Sequence, residues 1–230
     1  MIYRASVLFA VALLGLIFLR LAGGYAERSA LRPLAEHYVS QAPLELGVSN
    51  IVTGILIAYR GFDTLGEVAV LFMVAASVGL LLRKEEAGRK YTEEGRRKPA
   101  GEIVTTGTQV LLPVILTFGA YVIVNGHLSA GGGFQGGAIV ASGVMLLLLA
   151  DPGTRVNAAA LSVIESLAGV SYVAIGILGL VLAGGFLDPR FLPPGEAGAF
   201  ISAGAIPVVS ALLGIKVGAE LSVIIDRFGR

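Results

Sequence analysis

The chain has 230 residues, 55% of them hydrophobic and 14% charged, with a mean hydropathy of +0.83 and a formal net charge of +1. A soluble domain carries about 25% charge, so a water-soluble fold would have to bury more apolar helix than a chain of this length can cover. The absence of cysteine excludes disulfides, thiolate zinc ligation, iron–sulfur ligation by this chain and thiol catalysis. The two histidines, His37 and His127, stand too far apart to suggest a metal site, and no metal or cofactor is expected.

The N-terminus, "MIYRASVLFAVALLGLIFLRLAGGYAERSA", imitates a secretory signal, with Arg4, an apolar core and small residues before a polar segment. Its apolar run is long enough to cross a bilayer, which takes about 20 residues, and it is expected to stay as an uncleaved first helix. Six apolar runs reach or approach that length, at about 2–22, 66–83, 103–125, 134–150, 157–184 and 199–225. The run 47–59, "GVSNIVTGILIAY", is too short to span and suits an interfacial or re-entrant helix. The expected fold is an all-α integral membrane protein with about six transmembrane helices and that one short extra helix.

The linker "RKEEAGRKYTEEGRRKPAGE" carries Arg83, Lys84, Arg89, Lys90, Arg96, Arg97 and Lys98, which places it in the cytoplasm by the positive-inside rule. Six spans then put both termini inside as well, together with Arg4, Arg155, Arg227 and Arg230. Only Arg20, Arg28, Arg32, Arg60 and Arg190 fall outside. A seventh span at 47–59 would move the N-terminus out, so length and charge both favour six. The linker also reads as a joint. It divides a two-span unit, 1–88, from a four-span unit, 99–230, with 89–98 as the basic connection.

The stretch "GHLSAGGGFQGG", 126–137, contains G-x-G-x-x-G. A dinucleotide loop needs a preceding strand and a following soluble helix. Here the preceding segment is apolar enough to be a membrane helix, and Asp151, at roughly the right distance, falls across the bilayer. The stretch reads instead as a helix break at Gly131, Gly132 and Gly133. Gly136 and Gly137 follow, and Gly133, Gly137 and Ala141 form a small-residue ridge for close helix approach. His127 stands at the outer end of the third span, either as an interfacial residue in a tight turn or as a point of proton entry.

Ionisable residues within membrane segments are costly and usually functional. In "GIKVGAELSVIIDRF", Lys216 and Glu220 are four apart and share a helical face. Lys216 lies about 15 Å and Glu220 about 9 Å from Asp226 along the axis, and Glu165 lies about 12 Å from Asn157 on the neighbouring span. The three share one depth range. They are expected to form a carboxylate–lysine–carboxylate cluster that relays protons or, on the plainer reading, a static ion pair. In "YRGFDTLGE", Asp63 and Glu67 share a face and Arg60 can pair with Asp63. This group either caps a helix at the membrane surface or feeds cations into an intramembrane path through Glu67. Glu102, at the inner mouth of a span, reads as ordinary interfacial solvation.

"YVIVNGHLSAGGGFQGGAIVAS" and "LLGIKVGAELSVI" resemble the B-type subunit of the Mrp-type cation/proton antiporters, over roughly residues 100–228. "SNIVTGILIAYRGFDTLGEVAVL" resembles the C-terminal portion of the large A-type antiporter subunit over roughly 40–85. That portion is a separate small subunit in archaeal membrane-bound hydrogenases and the related sulfane-sulfur reductases. The chain thus resembles a fusion of the two. It departs from the family pattern at Ala130, where proline is common. The resemblance implies an accessory membrane subunit of a multi-subunit sodium/proton antiporter module, non-catalytic by itself and related to the proton-pumping arm of respiratory complex I. Its implied partners are other antiporter subunits, a hydrogenase or sulfane-reductase redox module, the lipid bilayer, Na+ and H+, but not nucleic acid. On this reading Asp63, Glu67, His127, Glu165, Lys216 and Glu220 line an ion path. The alternatives are a structural subunit that joins antiporter modules without carrying ions, and a stand-alone transporter or membrane enzyme.

Overall fold

The computed structural model describes residues 2–26, 30–88, 100–151 and 153–229. The basic connection 89–98, on which the expected domain joint falls, lies outside them. The described residues are helical apart from turns and loops, with no strand among them.

Two compact units make up the chain, Met1–Glu36 and His37–Arg230. The first holds α1 (Ile2–Gly23), a helix apolar around its whole circumference and, as a span, without a buried residue. Such a helix is stable only in lipid or against another protein.

The second unit is a helical bundle. Its spans are α4 (Gly61–Gly88), α5 (Glu102–Val124), α6 (Gly133–Ala150), α7 (Ala158–Ala183) and α8 (Ile206–Gly229). With α1, these give the six membrane-length helices read from the sequence. The last begins at Ile206 rather than near 199, because residues 198–205 turn, with positive φ at Gly198, Ala203 and Gly204.

The short segment is more elaborate than its sequence suggested. A helix not anticipated, α2 (Pro33–Leu46), precedes it, and the segment itself is α3 (Ile51–Gly54) running into a π-helical turn, Ile55–Tyr59. α2 and the segment Ile51–Tyr59 meet at 85°. Gly47, at φ +65°, makes the corner, and the Tyr59 hydroxyl closes it by donating to Glu45 Oε2 at 2.6 Å. The wide π turn does not leave the Leu56 carbonyl unused, since Thr64 Oγ1 donates to it at 2.6 Å. Irregular backbone at membrane depth survives only where such partners exist.

The centre of the bundle is α8, with 61% of its span buried against 33% or less for each of the others. Small residues make this possible. A Cβ on Gly137 of α6 would lie 2.8 Å from Gly214 O and 2.9 Å from Gly218 N of α8, so the two backbones are in contact there. On its other side α6 meets α5, where a Cβ on Gly136 would lie 2.8 Å from Gly119 O. In lipid, helices gain nothing from burying apolar surface against each other, and close packing of this kind supplies the attraction instead.

One end of this unit carries the corner after α2, the α5–α6 loop and the long α7–α8 loop, which contains a 3-10 turn at Pro189–Phe191. The three are tied together. His127 O accepts from the backbone N–H of Ser49 at 3.1 Å and of Asn50 at 3.0 Å. The Asn50 side chain donates to Gly126 O at 2.8 Å and Ser129 O at 2.7 Å, and Thr53 Oγ1 donates to Gly126 O at 2.7 Å. His127 Nε2 lies 3.1 Å from Phe200 O.

Candidate functional site

The charged residues of the spans gather where α7 and α8 meet. Lys216 reaches from α8 to Glu165 Oε1 of α7 at 2.8 Å and to Glu220 Oε2, one turn along its own helix, at 3.0 Å. Its ammonium also lies 5.8 Å from the centroid of the Phe72 ring of α4, within range of a cation–π attraction. Lys216 is 6% exposed and Glu220 is 1% exposed, while Glu165 is half-buried. The lysine stem passes over Gly169 of α7, where even a Cβ would make only ordinary contact with Lys216 Cδ at 3.8 Å and Cε at 3.9 Å.

Two carboxylates and one ammonium leave one negative charge if all are ionised, and a buried net charge is expensive. One bound proton on either carboxylate neutralises the group. Glu220 keeps an oxygen for it: Oε1 is buried and has no hydrogen-bond partner among the described residues. The arrangement can therefore hold one proton in excess of its ion pairs and release it when Lys216 moves or another cation approaches. Asp226, also buried, lies about 9 Å further along α8.

The remaining sequence-derived candidates lie elsewhere. Asp63 pairs with Arg60 at the start of α4, both largely exposed, an arrangement worth little by itself. Glu67, one turn on, is exposed on α4. His127 is 1% exposed within the loop layer, and its Nδ1 has no partner among the described residues. Gly131 and Gly132, at φ +150° and +145°, form the turn into α6, in a backbone region that side chains rarely enter. Gly133 sits against the α8 backbone beside Leu213 and Gly214. Among the described residues no group of three or more His, Asp or Glu is placed to hold a metal ion.

Sequence reasoning passed over three features. Asn50 and Thr53 lock the glycine loop, and only their place just before an apolar run hinted at a helix cap. Asp188 and Arg190 form a two-pronged ion pair in the α7–α8 loop, with Arg190 Nε 2.9 Å from Asp188 Oδ1. Tyr172 of α7 is 1% exposed, and its hydroxyl has no partner among the described residues; its seven-residue spacing from Glu165 was the available signal.

Residues 103–223 match the family described as a domain related to the MnhB subunit of Na+/H+ antiporters. The chain belongs to that family. Residues 4–98 match a second family, MbhE of the MBH complex, so both halves of the resemblance drawn from the sequence are borne out. Over 99% of its length this MnhB-family chain superimposes on a chain of the membrane-bound sulfane sulfur reductase, an archaeal respiratory membrane complex. The TM-score is 0.81 with 32% identity, and 98% of that chain is covered. It is 27% identical to an uncharacterized protein of Methanocaldococcus jannaschii over 76% of its own length and 75% of the relative's. It is 31% identical to a K(+)/H(+) antiporter A/B subunit of Rhizobium meliloti over 53% of its length, but covers only 14% of that longer protein.

Proposed function

We propose that the chain is a non-catalytic membrane subunit of an Mrp-type sodium/proton antiporter module within an archaeal-type respiratory complex, and that Glu165, Lys216 and Glu220 carry protons or sodium ions through it. Its partners are other antiporter subunits and a redox module of the hydrogenase or sulfane-reductase kind. The joint between its two parts falls at 89–98. It sits in the cytoplasmic membrane with both termini in the cytoplasm, the side that the basic linker selects.

The observation that carries the reading is a lysine ammonium held between two carboxylates inside a membrane bundle, with a carboxylate oxygen left over. A purely structural ion pair needs one carboxylate, whereas a carrier needs a second to receive what the first gives up. Asp63 and Glu67 on α4 supply the approach from the other end. His127 belongs to the path through its Nδ1, which has no partner among the described residues.

The test uses the assembled complex in membrane vesicles, with sodium-driven pH change as the readout. Removing one partner of a buried pair costs about 3–5 kcal/mol, so Lys216→Ala is accompanied by Glu220→Gln, which keeps the shape and an oxygen for Lys216. Intact complex on a native gel with exchange abolished is the expected result. Normal exchange in both variants would remove the reading. Loss of the complex in both would favour the structural alternative, in which the cluster only fixes α7 on α8.

A further inference from the structure

Two buried side-chain oxygens at the α4–α7–α8 seam have no partner among the described residues: Glu220 Oε1 and the Tyr172 hydroxyl. Nearly all buried polar groups are satisfied by protein or by ordered water, and leaving a hydroxyl unpaired in an apolar core is costly. A phenylalanine would fill the same space without that cost. The ring of Tyr172 belongs to the apolar cluster with Val68, Leu187, Ile206 and Val209, so packing alone does not call for the oxygen.

The position of Tyr172 gives the hydroxyl a use. Glu165, Gly169 and Tyr172 follow one another on α7 at four- and three-residue steps, so they form one strip on one face. At one end of the strip Glu165 binds Lys216; in the middle the lysine stem crosses Gly169. At the other end, about 10 Å along the axis, Tyr172 shares a buried cluster with Val68 of α4, the chain neighbour of the exposed Glu67. Glu67 is thus exposed on α4 while the lysine cluster is buried, and Tyr172 shares the α7 strip with Glu165 and the apolar cluster with Val68.

We propose that Tyr172 is a proton relay joining Glu67 to the Glu165–Lys216–Glu220 cluster, through water bonded to its hydroxyl. This rests on the proposed ion path and adds a residue to it. In each step the hydroxyl proton leaves to a water on one side as the oxygen takes a proton from a water on the other. One O–H bond breaks and one forms, and the tyrosine ends neutral as it began. The direction of transfer is set by which carboxylate, Glu67 or Glu220, holds the proton at the start.

The experiment is Tyr172→Phe in the assembled complex, compared in the same vesicles with Glu220→Gln. The expected result is a maximal exchange rate at least tenfold lower, at an unchanged half-saturating sodium concentration, with the wild-type amount of complex on a native gel. A change in the solvent isotope effect between H2O and D2O accompanies it, because the transfer through tyrosine no longer contributes. Wild-type exchange by Tyr172→Phe alongside a dead Glu220→Gln overturns the relay and leaves the proposed path standing. Wild-type exchange by both overturns both. A fall in the amount of complex with an unchanged rate per complex also overturns the relay, because it assigns Tyr172 to packing.

Discussion

Charge at single residues is where the molecule departs most from a lipid-soluble spacer. Asp188 is one case outside the spans: the hydrogen bonds and charge of Arg190 hold its carboxyl below the usual carboxylate range. Its folded-state value therefore lies below the unfolded value of about 3.9. The stabilisation is fully present above that pH and is lost as pH falls through the depressed folded value. Asp188→Asn should lower the thermal midpoint of the solubilised complex at pH 7, by an amount worth about 1 kcal/mol. The wild-type advantage should shrink below about pH 4, and an advantage independent of pH would contradict the ion-pair account. Asn50 is a second case. Its amide donates to two loop carbonyls; Gly126 O also accepts from Thr53 Oγ1, so Asn50→Ala strands Ser129 O in a partly buried layer, at a cost of about 1–3 kcal/mol. Hydrogen exchange at the amides of 126–131 should quicken in that variant while α7 and α8 keep their protection.

At the scale of elements, α6 and α8 are held backbone to backbone by their glycines. Gly137→Ala would press a methyl carbon on backbone atoms of Gly214 and Gly218, which cannot rotate away. The helices must separate, at a cost of about 1–3 kcal/mol, and the complex should lose thermal stability. Gly107→Ala on α5 is the control, since nothing lies within 4 Å of the added carbon. It should be neutral or stabilising by a few tenths of a kcal/mol to about 1 kcal/mol. Equal effects of the two would show that close approach at Gly137 is not what holds α6 on α8. Sequence spacing made this ridge legible because Gly133, Gly137 and Ala141 recur every four residues on one helix. It did not make α2 legible: Glu36, His37, Ser40, Gln41 and Pro43 break up its apolar pattern. Only contacts with distant loops, through Ala42, Leu46 and Val48 in the buried cluster, give that helix a place.

For the whole molecule, the orientation proposed from the basic linker is directly testable, because the chain contains no cysteine. Thr92→Cys in the linker and Ala197→Cys in the α7–α8 loop each introduce the sole thiol. A membrane-impermeant maleimide should label Ala197→Cys in whole cells and Thr92→Cys only after the membrane is opened. The reverse pattern would invert the topology, and with it the side from which Glu67 takes up its cation.

The sequence by itself determined the spans and placed Glu165, Lys216 and Glu220 in one range along two of them. Apolar length and the rise of 1.5 Å per residue are properties of a single helix. For this reason Glu165, Lys216 and Glu220 could be assigned one level in the membrane before any packing was known. Only the tertiary structure decided which groups meet across that level. Lys216 finds Glu165, 51 positions away, because α8 is rotated by its glycine contacts with α6 until the lysine faces α7. The packing of α7 buries Tyr172, and that of α4 leaves Glu67 exposed. Relative rotation of two helices is set by the side chains of both, and no periodicity within one of them encodes it.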